Sequence, residues 1–100
     1  MTCVELRSKI ESIFYYKIIP NKENRLCYEQ SIIHSVFYNI GKEDFNFTFL
    51  EMSECLGYKK IGRATGYCKD HYRRLEKNPL YNYVYLQAKL KLFNQNKTNI

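Results

Sequence analysis

Two Thr-x-x-Glu sequences, Thr2 to Glu5 in "TCVE" and Thr48 to Glu51 in "TFLE", constrain this chain more than anything else in it. In each, the threonine hydroxyl accepts from the backbone N–H three residues on. The glutamate reaches back to the threonine N–H, so the two side chains satisfy orphan donors at a helix start. Val4, Leu6, Ile10, Ile13 and Phe14 follow the first box at helical spacing, which predicts a helix over 2–17. Pro20, with Asn21 and Asn24, breaks it and opens a second helix over 24–40. Leu26, Ile33, Phe37 and Ile40 share a side of that helix, joined by Ile32 and Val36, and Gly41 reads as its stop. The second box starts a short helix over 48–56 that Gly57 ends. A loop leads to a helix over 65–77, and the Asn-Pro pair at 78–79 caps and begins a last one over 79–93. "KIIP" alone resembles a strand and has nothing to pair with. The expectation is a compact all-α domain of five helices over 1–93 with a frayed tail at 94–100.

At 45% apolar residues the chain can bury a core, and its 100 residues suit a single domain. Lys, Asn, Ile, Tyr and Phe dominate the composition, and all have AT-rich codons, which points to an AT-rich genome. The four cysteines, Cys3, Cys27, Cys55 and Cys68, form no close Cys-x-x-Cys pair. With no signal-peptide pattern and no apolar run of membrane length, a cytoplasmic protein with reduced thiols and no membrane partner is expected.

The formal charge of +6 is unevenly spread. Residues 1–58 carry more acids than bases, whereas residues 59–77 hold seven Lys/Arg against two acids. A focused basic patch implies a polyanionic partner better than a diffuse excess does. Within "LEMSECLGYKKIGRATGYCKDHYRRLEKNP", residues 50–79, a short capped helix, a glycine and a basic helix fit a helix-turn-helix. Ser53 and Gly57 supply the small residue and sharp turn that a close crossing of two helices needs. Cys68, His71, Tyr72 and Leu75 recur at three- and four-residue steps as a narrow buried stripe, leaving Lys69, Arg73, Arg74 and Lys77 toward solvent or phosphate. With Thr65 as N-cap and Gly66 as first helical residue, the helix amides open beside Lys59, Lys60 and Arg63, where a phosphate can bind. The candidate DNA-binding residues are thus Lys59, Lys60, Arg63, Thr65, Tyr67, Lys69, Arg73 and Arg74.

Other chemistry is weaker. Cys68 and His71 form a single Cys-x-x-His, whereas structural zinc uses two close pairs, so buried thiols are the better reading and no metal or cofactor is expected. The acids are scattered and suggest no general acid–base couple, so no enzyme is expected.

"FLEMSECLG", the basic loop and "GR…YRRLE" resemble the C-terminal DNA-binding domain of the bacterial replication initiator DnaA, of which stand-alone phage versions are known. The resemblance covers about residues 22–85, with Glu51, Met52, Ser53 and Gly57 matching a family pattern. It implies an all-helical, Trp-repressor-like helix-turn-helix that binds double-stranded DNA. The closing "NPLYNYVY", with Tyr81 and Tyr85, looks like the tail helix of the phage versions. The family's Asp-His-small-Thr reading cluster is replaced here by "GRATGYC". One register places Arg63 at the histidine and Thr65 at the threonine. The other, which keeps Cys68, Tyr72 and Leu75 buried, places Thr65 and Tyr67 there and is preferred. There is no Gly-rich loop ending in Lys-Ser/Thr, so no nucleotide motor accompanies the domain.

Two functions follow from these features. The first is a small DNA-binding regulator or replication accessory of phage type. The alternative is a helix-turn-helix protein that binds and inhibits a host nucleic-acid enzyme, which the altered reading cluster favours.

Overall fold

The computed structural model describes residues 1–20 and 27–93, and every element within them is helical. The helices are α1 (Cys3–Phe14), α2 (Tyr28–Phe45), α3 (Phe49–Cys55), α4 (Gly62–Lys69), α5 (His71–Lys77) and α6 (Pro79–Phe93). The all-α expectation holds. The count of five does not, because the stretch expected as one helix over 65–77 is two, α4 and α5, meeting at Asp70.

Both capping boxes form. The Thr2 hydroxyl accepts from the Glu5 N–H at 3.1 Å while the Glu5 carboxylate accepts from the Thr2 N–H at 2.9 Å. Thr48 and Glu51 repeat the arrangement. The stretch expected as one helix over 2–17 stops earlier, at Phe14, because Tyr15 takes the left-handed conformation with φ 51°. The chain then returns along α1 without strand pairing, its backbone groups satisfied by side chains. The Ile18 N–H donates to Glu11, the Ile18 carbonyl accepts from Arg7, and Gln30 holds both the Ile19 N–H and the Lys17 carbonyl, each at 2.8 Å. These bonds let Ile18 be buried without an unsatisfied backbone.

α2 is the centre of the molecule, with every residue from Ile32 to Gly41 buried. The expected start of this helix at Asn24, and Leu26 with it, lie outside the described residues, as does the tail 94–100. Its expected stop at Gly41 is corrected: the helix runs four residues further and ends at Asn46, whose φ of 58° suits asparagine. Gly41 serves packing instead. A Cβ there would lie 2.6 Å from the Met52 sulfur and 3.2 Å from Phe47, so its bareness lets α3 seat against α2.

Gly57 does end α3. Its φ is 85°, its N–H donates to the Glu54 carbonyl, and the next N–H, of Tyr58, returns to the Ser53 carbonyl, both at 2.9 Å. That pair of bonds is a Schellman cap, with buried Tyr58 as its apolar contact. Arg7 from α1 donates to the Cys55 carbonyl at 2.9 Å, satisfying another acceptor at the same helix end. α6 begins at Pro79 as the Asn-Pro pair predicts, with the Asn78 side chain accepting from the Tyr81 N–H at 3.1 Å.

Candidate nucleic-acid interface

The basic stretch is laid over the core by α2. Ala64 and His71 are buried, Cys68 and Leu75 are half-buried, and the α4–α5 pair lies against α2 and α6 on that side. Tyr72, expected in the same stripe, is instead 70% exposed, its hydroxyl donating to Glu43 at 3.2 Å.

α4 starts at Gly62 with Ile61 as N-cap, not at Thr65. The Thr65 hydroxyl donates to the Gly62 carbonyl at 3.1 Å inside the first turn, and Gly66 is a full turn within the helix. The helix start expected at Thr65 and Gly66 therefore lies at Ile61 to Arg63, next to Lys59 and Lys60.

Tyr67 is the second rotation from expectation. Rather than lying on the open side, it is half-buried and stacked on Tyr38 of α2, with centroids 5.8 Å apart and planes 20° from parallel. Arg74 covers it: the guanidinium lies 5.7 Å from the Tyr67 ring centre and 5.5 Å from that of Tyr81. Arg74 also reaches Ser31 at 3.4–3.5 Å, and its side chain is only 20% exposed. Arg74 therefore ties α5 to α2 and α6, while its Nε lies 4.0 Å from the Asp70 carboxylate at the edge of a hollow along α4.

What faces out is a different set. Gly62, Gly66 and Lys69 follow at steps of four and three residues on one face of α4, and exposed Arg73 stands on α5 just beyond the junction at Asp70. A Cβ at either glycine would meet no heavy atom within 4 Å. Two adjoining concavities of about 650 Å³ each share Gly62 and Arg63. One extends to Tyr58, Lys59 and Lys60, the other to Tyr67, Lys69, Asp70, Arg73 and Arg74. Arg63 lies 4.9 Å over the Tyr58 ring. Lys59, Lys60, Arg63, Lys69, Arg73 and Arg74 thus line two adjoining concavities, together a hollow along α4, and Asp70 is the acid among their lining residues. Asp70 is paired with Arg73 through two bonds, Nε at 2.7 Å and Nη2 at 2.9 Å, and this bonding holds its carboxyl below the usual range.

Beneath the hollow is a buried polar network. The Tyr81 hydroxyl accepts from Ser35 Oγ at 3.0 Å and Asn39 Nδ2 at 3.4 Å, and meets His71 Nδ1 at 2.6 Å. With its lone pairs taken, the hydroxyl gives its proton to Nδ1, which puts the ring hydrogen of His71 on Nε2. Burial lowers the His71 pKa, in keeping with a neutral ring. Asn39 also donates to the Tyr67 carbonyl at 3.3 Å, which joins α4 to the network. Ser35 and Asn39 escaped the sequence reading, although they stand four apart among apolar residues of α2, whereas His71 was expected to be buried. Deeper still, His34 Nε2, Tyr38 Oη and Ser53 Oγ are buried with no hydrogen-bond partner.

The cysteines are reduced and apart in role. Burial raises the thiol pKa values of Cys3, Cys55 and Cys68, Cys3 to about 11 with a further push from Cys55, while Lys42 and Glu43 act in opposite senses on Cys68. Among the described residues no three His, Cys, Asp or Glu side chains converge as a metal site would require, and no helix is long and apolar enough to cross a membrane.

No family model, curated protein or solved structure matches this chain.

Proposed function

We propose that this chain binds double-stranded DNA as a helix-turn-helix protein, with α3 and the α4–α5 pair as its two helices, and that it acts as a phage-type regulator or replication accessory rather than as an enzyme. The observation that carries the reading is the hollow along α4, where Lys59, Lys60, Arg63, Lys69 and Arg73 gather around an outward face left bare by Gly62 and Gly66. The resemblance of residues 22–85 to the DNA-binding domain of the replication initiator supports the same reading. Phosphate contacts supply most of the affinity of such proteins and make it salt-dependent. Lys59, Lys60, Arg63 and Lys69 provide about four cations for phosphate, so log K against log salt should fall with a slope of about −4. Fluorescence anisotropy on a random duplex tests this. Lys60→Ala should weaken all duplexes about equally and make the slope shallower by about one. Absence of binding, or binding indifferent to salt, refutes the proposal.

The alternative, a protein that docks on and inhibits a host nucleic-acid enzyme, draws on a separate observation. The outer face of α6 carries Tyr83, Leu86 and Leu90, each at least half exposed. Exposed apolar rows of this kind mark protein contacts. An enzyme retained on the protein after nuclease treatment, and released by Leu86→Lys without loss of DNA affinity, would favour this reading.

A further inference from the structure

The hollow holds one carboxylate among its cations, and its placement is not neutral for function. Asp70 stands at the junction of α4 and α5 and binds Arg73 along one edge of the guanidinium, through Nε and Nη2. Guanidinium carries five N–H donors in a fixed fork. Two are spent on Asp70, and both Nη1 hydrogens and one on Nη2 remain on the outward end. The Arg73 side chain is 69% exposed, and it lines the same hollow as Gly62 and Gly66.

We propose that Asp70 is a specificity-determining residue of this face: it locks the Arg73 fork so that its free end reads a pair of acceptors on a base edge, as guanine N7 and O6 present them, and it suppresses binding to phosphate. This rests on the DNA-binding reading above. The charge argument separates the two ligands. An anionic oxygen about 4 Å from the guanidinium lies roughly 6 Å from the carboxylate, and since Coulomb energy falls as 1/r, repulsion offsets up to about two-thirds of the Arg73 attraction, less the share of the carboxylate charge that Arg74 neutralises from 4.0 Å. A neutral base edge pays no such penalty, because it is recognised by directed hydrogen bonds, which the locked fork supplies without losing rotamer freedom. Lys59, Lys60 and Lys69, outside this pair, remain the phosphate-positioning groups. Asp70 thereby lowers affinity for arbitrary DNA while raising discrimination.

The test uses the whole chain and two duplexes, one selected by the wild-type protein from a random pool and one scrambled, with anisotropy at a single salt concentration. Wild type should prefer the selected duplex at least tenfold. Asp70→Asn should bind the scrambled duplex about two- to fivefold more tightly, bind the selected one no better, and lose most of the preference. Asp70→Glu keeps the charge but moves the carboxylate outward by one methylene. It should lose preference without gaining scrambled-duplex affinity, and thermal melts should show both variants folded, with only a small loss of midpoint because the pair lies at the surface. Adding Arg73→Ala to Asp70→Asn should cost no further preference. An unchanged ratio in Asp70→Asn, or a rise on both duplexes alike, overturns the proposal and leaves Asp70 a simple charge brake. A wild-type protein that binds both duplexes equally overturns it as well while leaving DNA binding standing. Absence of DNA binding by wild type overturns the DNA reading together with this one.

Discussion

Acidification should destabilise this fold before any carboxylate responds, and His34 is the reason. Its ring is fully buried on α2, with Nδ1 2.7 Å from the Gln30 carbonyl. A carbonyl only accepts, so Nδ1 carries the hydrogen and Nε2 keeps its lone pair, with no partner. Protonation would place a charge on Nε2 in a site with no acceptor, and Arg63 and Arg7 oppose it further. Burial, partly offset by the Gln30 hydrogen bond and helped by these charges, lowers the His34 pKa from 6.5 to about 4. Above pH 6.5 the ring is neutral in the folded and unfolded chain alike, and it adds no pH dependence. Below 6.5 the unfolded chain takes up a proton that the folded chain refuses, so stability falls with pH until about pH 4. At about 1.4 kcal/mol per pH unit the loss is about 2 kcal/mol by pH 5 and about 3 kcal/mol in full. His71, whose pKa burial also lowers, adds in the same direction. Glu5 and Asp70 have lowered carboxyl pKa values, so the stability they contribute is present above their unfolded values near 4 and is lost only below that range. Urea titrations at pH 7, 6 and 5 therefore isolate the histidines. His34→Asn, which keeps an N–H donor near the Nδ1 position, lowers stability at every pH through the space it leaves, but should flatten the pH slope. A wild-type protein equally stable at pH 7 and pH 5, or a His34→Asn variant with the full slope, refutes the reasoning.

Two glycines should answer the same substitution with opposite signs. Gly66→Ala, in an open helix interior, should raise stability by about 1 kcal/mol, whereas Gly41→Ala, pressed against Met52 and Phe47, should lower it by about 1–3 kcal/mol through overpacking; denaturant midpoints decide both. Tyr67→Ala should lower the thermal midpoint, costing about 2–3 kcal/mol through the lost stack on Tyr38 and the uncovered Arg74. A Tyr67→Ala variant that melts like wild type would mean that the ring stands outside the core after all.

What the sequence revealed and what it hid divide along the distance over which each feature is determined. Thr2, Thr48, Gly57 and the Asn78–Pro79 pair were legible because each acts on backbone groups within four residues of itself. Gly41 looked like another stop, but its cause lies across the core, in the seating of Met52 from α3, and no local rule carries that information. Thr65 looked like a cap for the same reason that Thr2 and Thr48 did. The Thr-x-x-Glu partner they share is missing from it, since Cys68 stands three residues on. The junction at Asp70 has no glycine or proline to announce it, and it keeps bonds to both helices, its N–H to Gly66 and its carbonyl from Arg74, each at 3.1 Å. The stripe through Cys68, His71 and Leu75 was read correctly in period and wrongly in width, which admitted exposed Tyr72 and missed Tyr67.

That misplaced width changes which residues are available to a ligand. A pattern of Thr65 and Tyr67 as readers places them where the family's histidine and threonine stand, and this requires α4 to turn its 65–67 edge outward. Tyr38 prevents that turn. It lies buried on α2 and offers Tyr67 a stacking surface, and the Asn39 amide binds the Tyr67 carbonyl on the next residue of α2. With Tyr67 drawn in, the opposite side of α4 must point out, and there the chain has Gly62 and Gly66 followed by Lys69 and Arg73. The first two turns of α4 then present backbone rather than side chains on that face. A helix of this shape can approach a strand closely along its bare part and reach base edges only from its far end. The group at that end with a fixed geometry is Arg73, held by Asp70. On the proposed interface the side chains available for reading are thus Lys69 and Arg73, four and six residues beyond Thr65 and Tyr67.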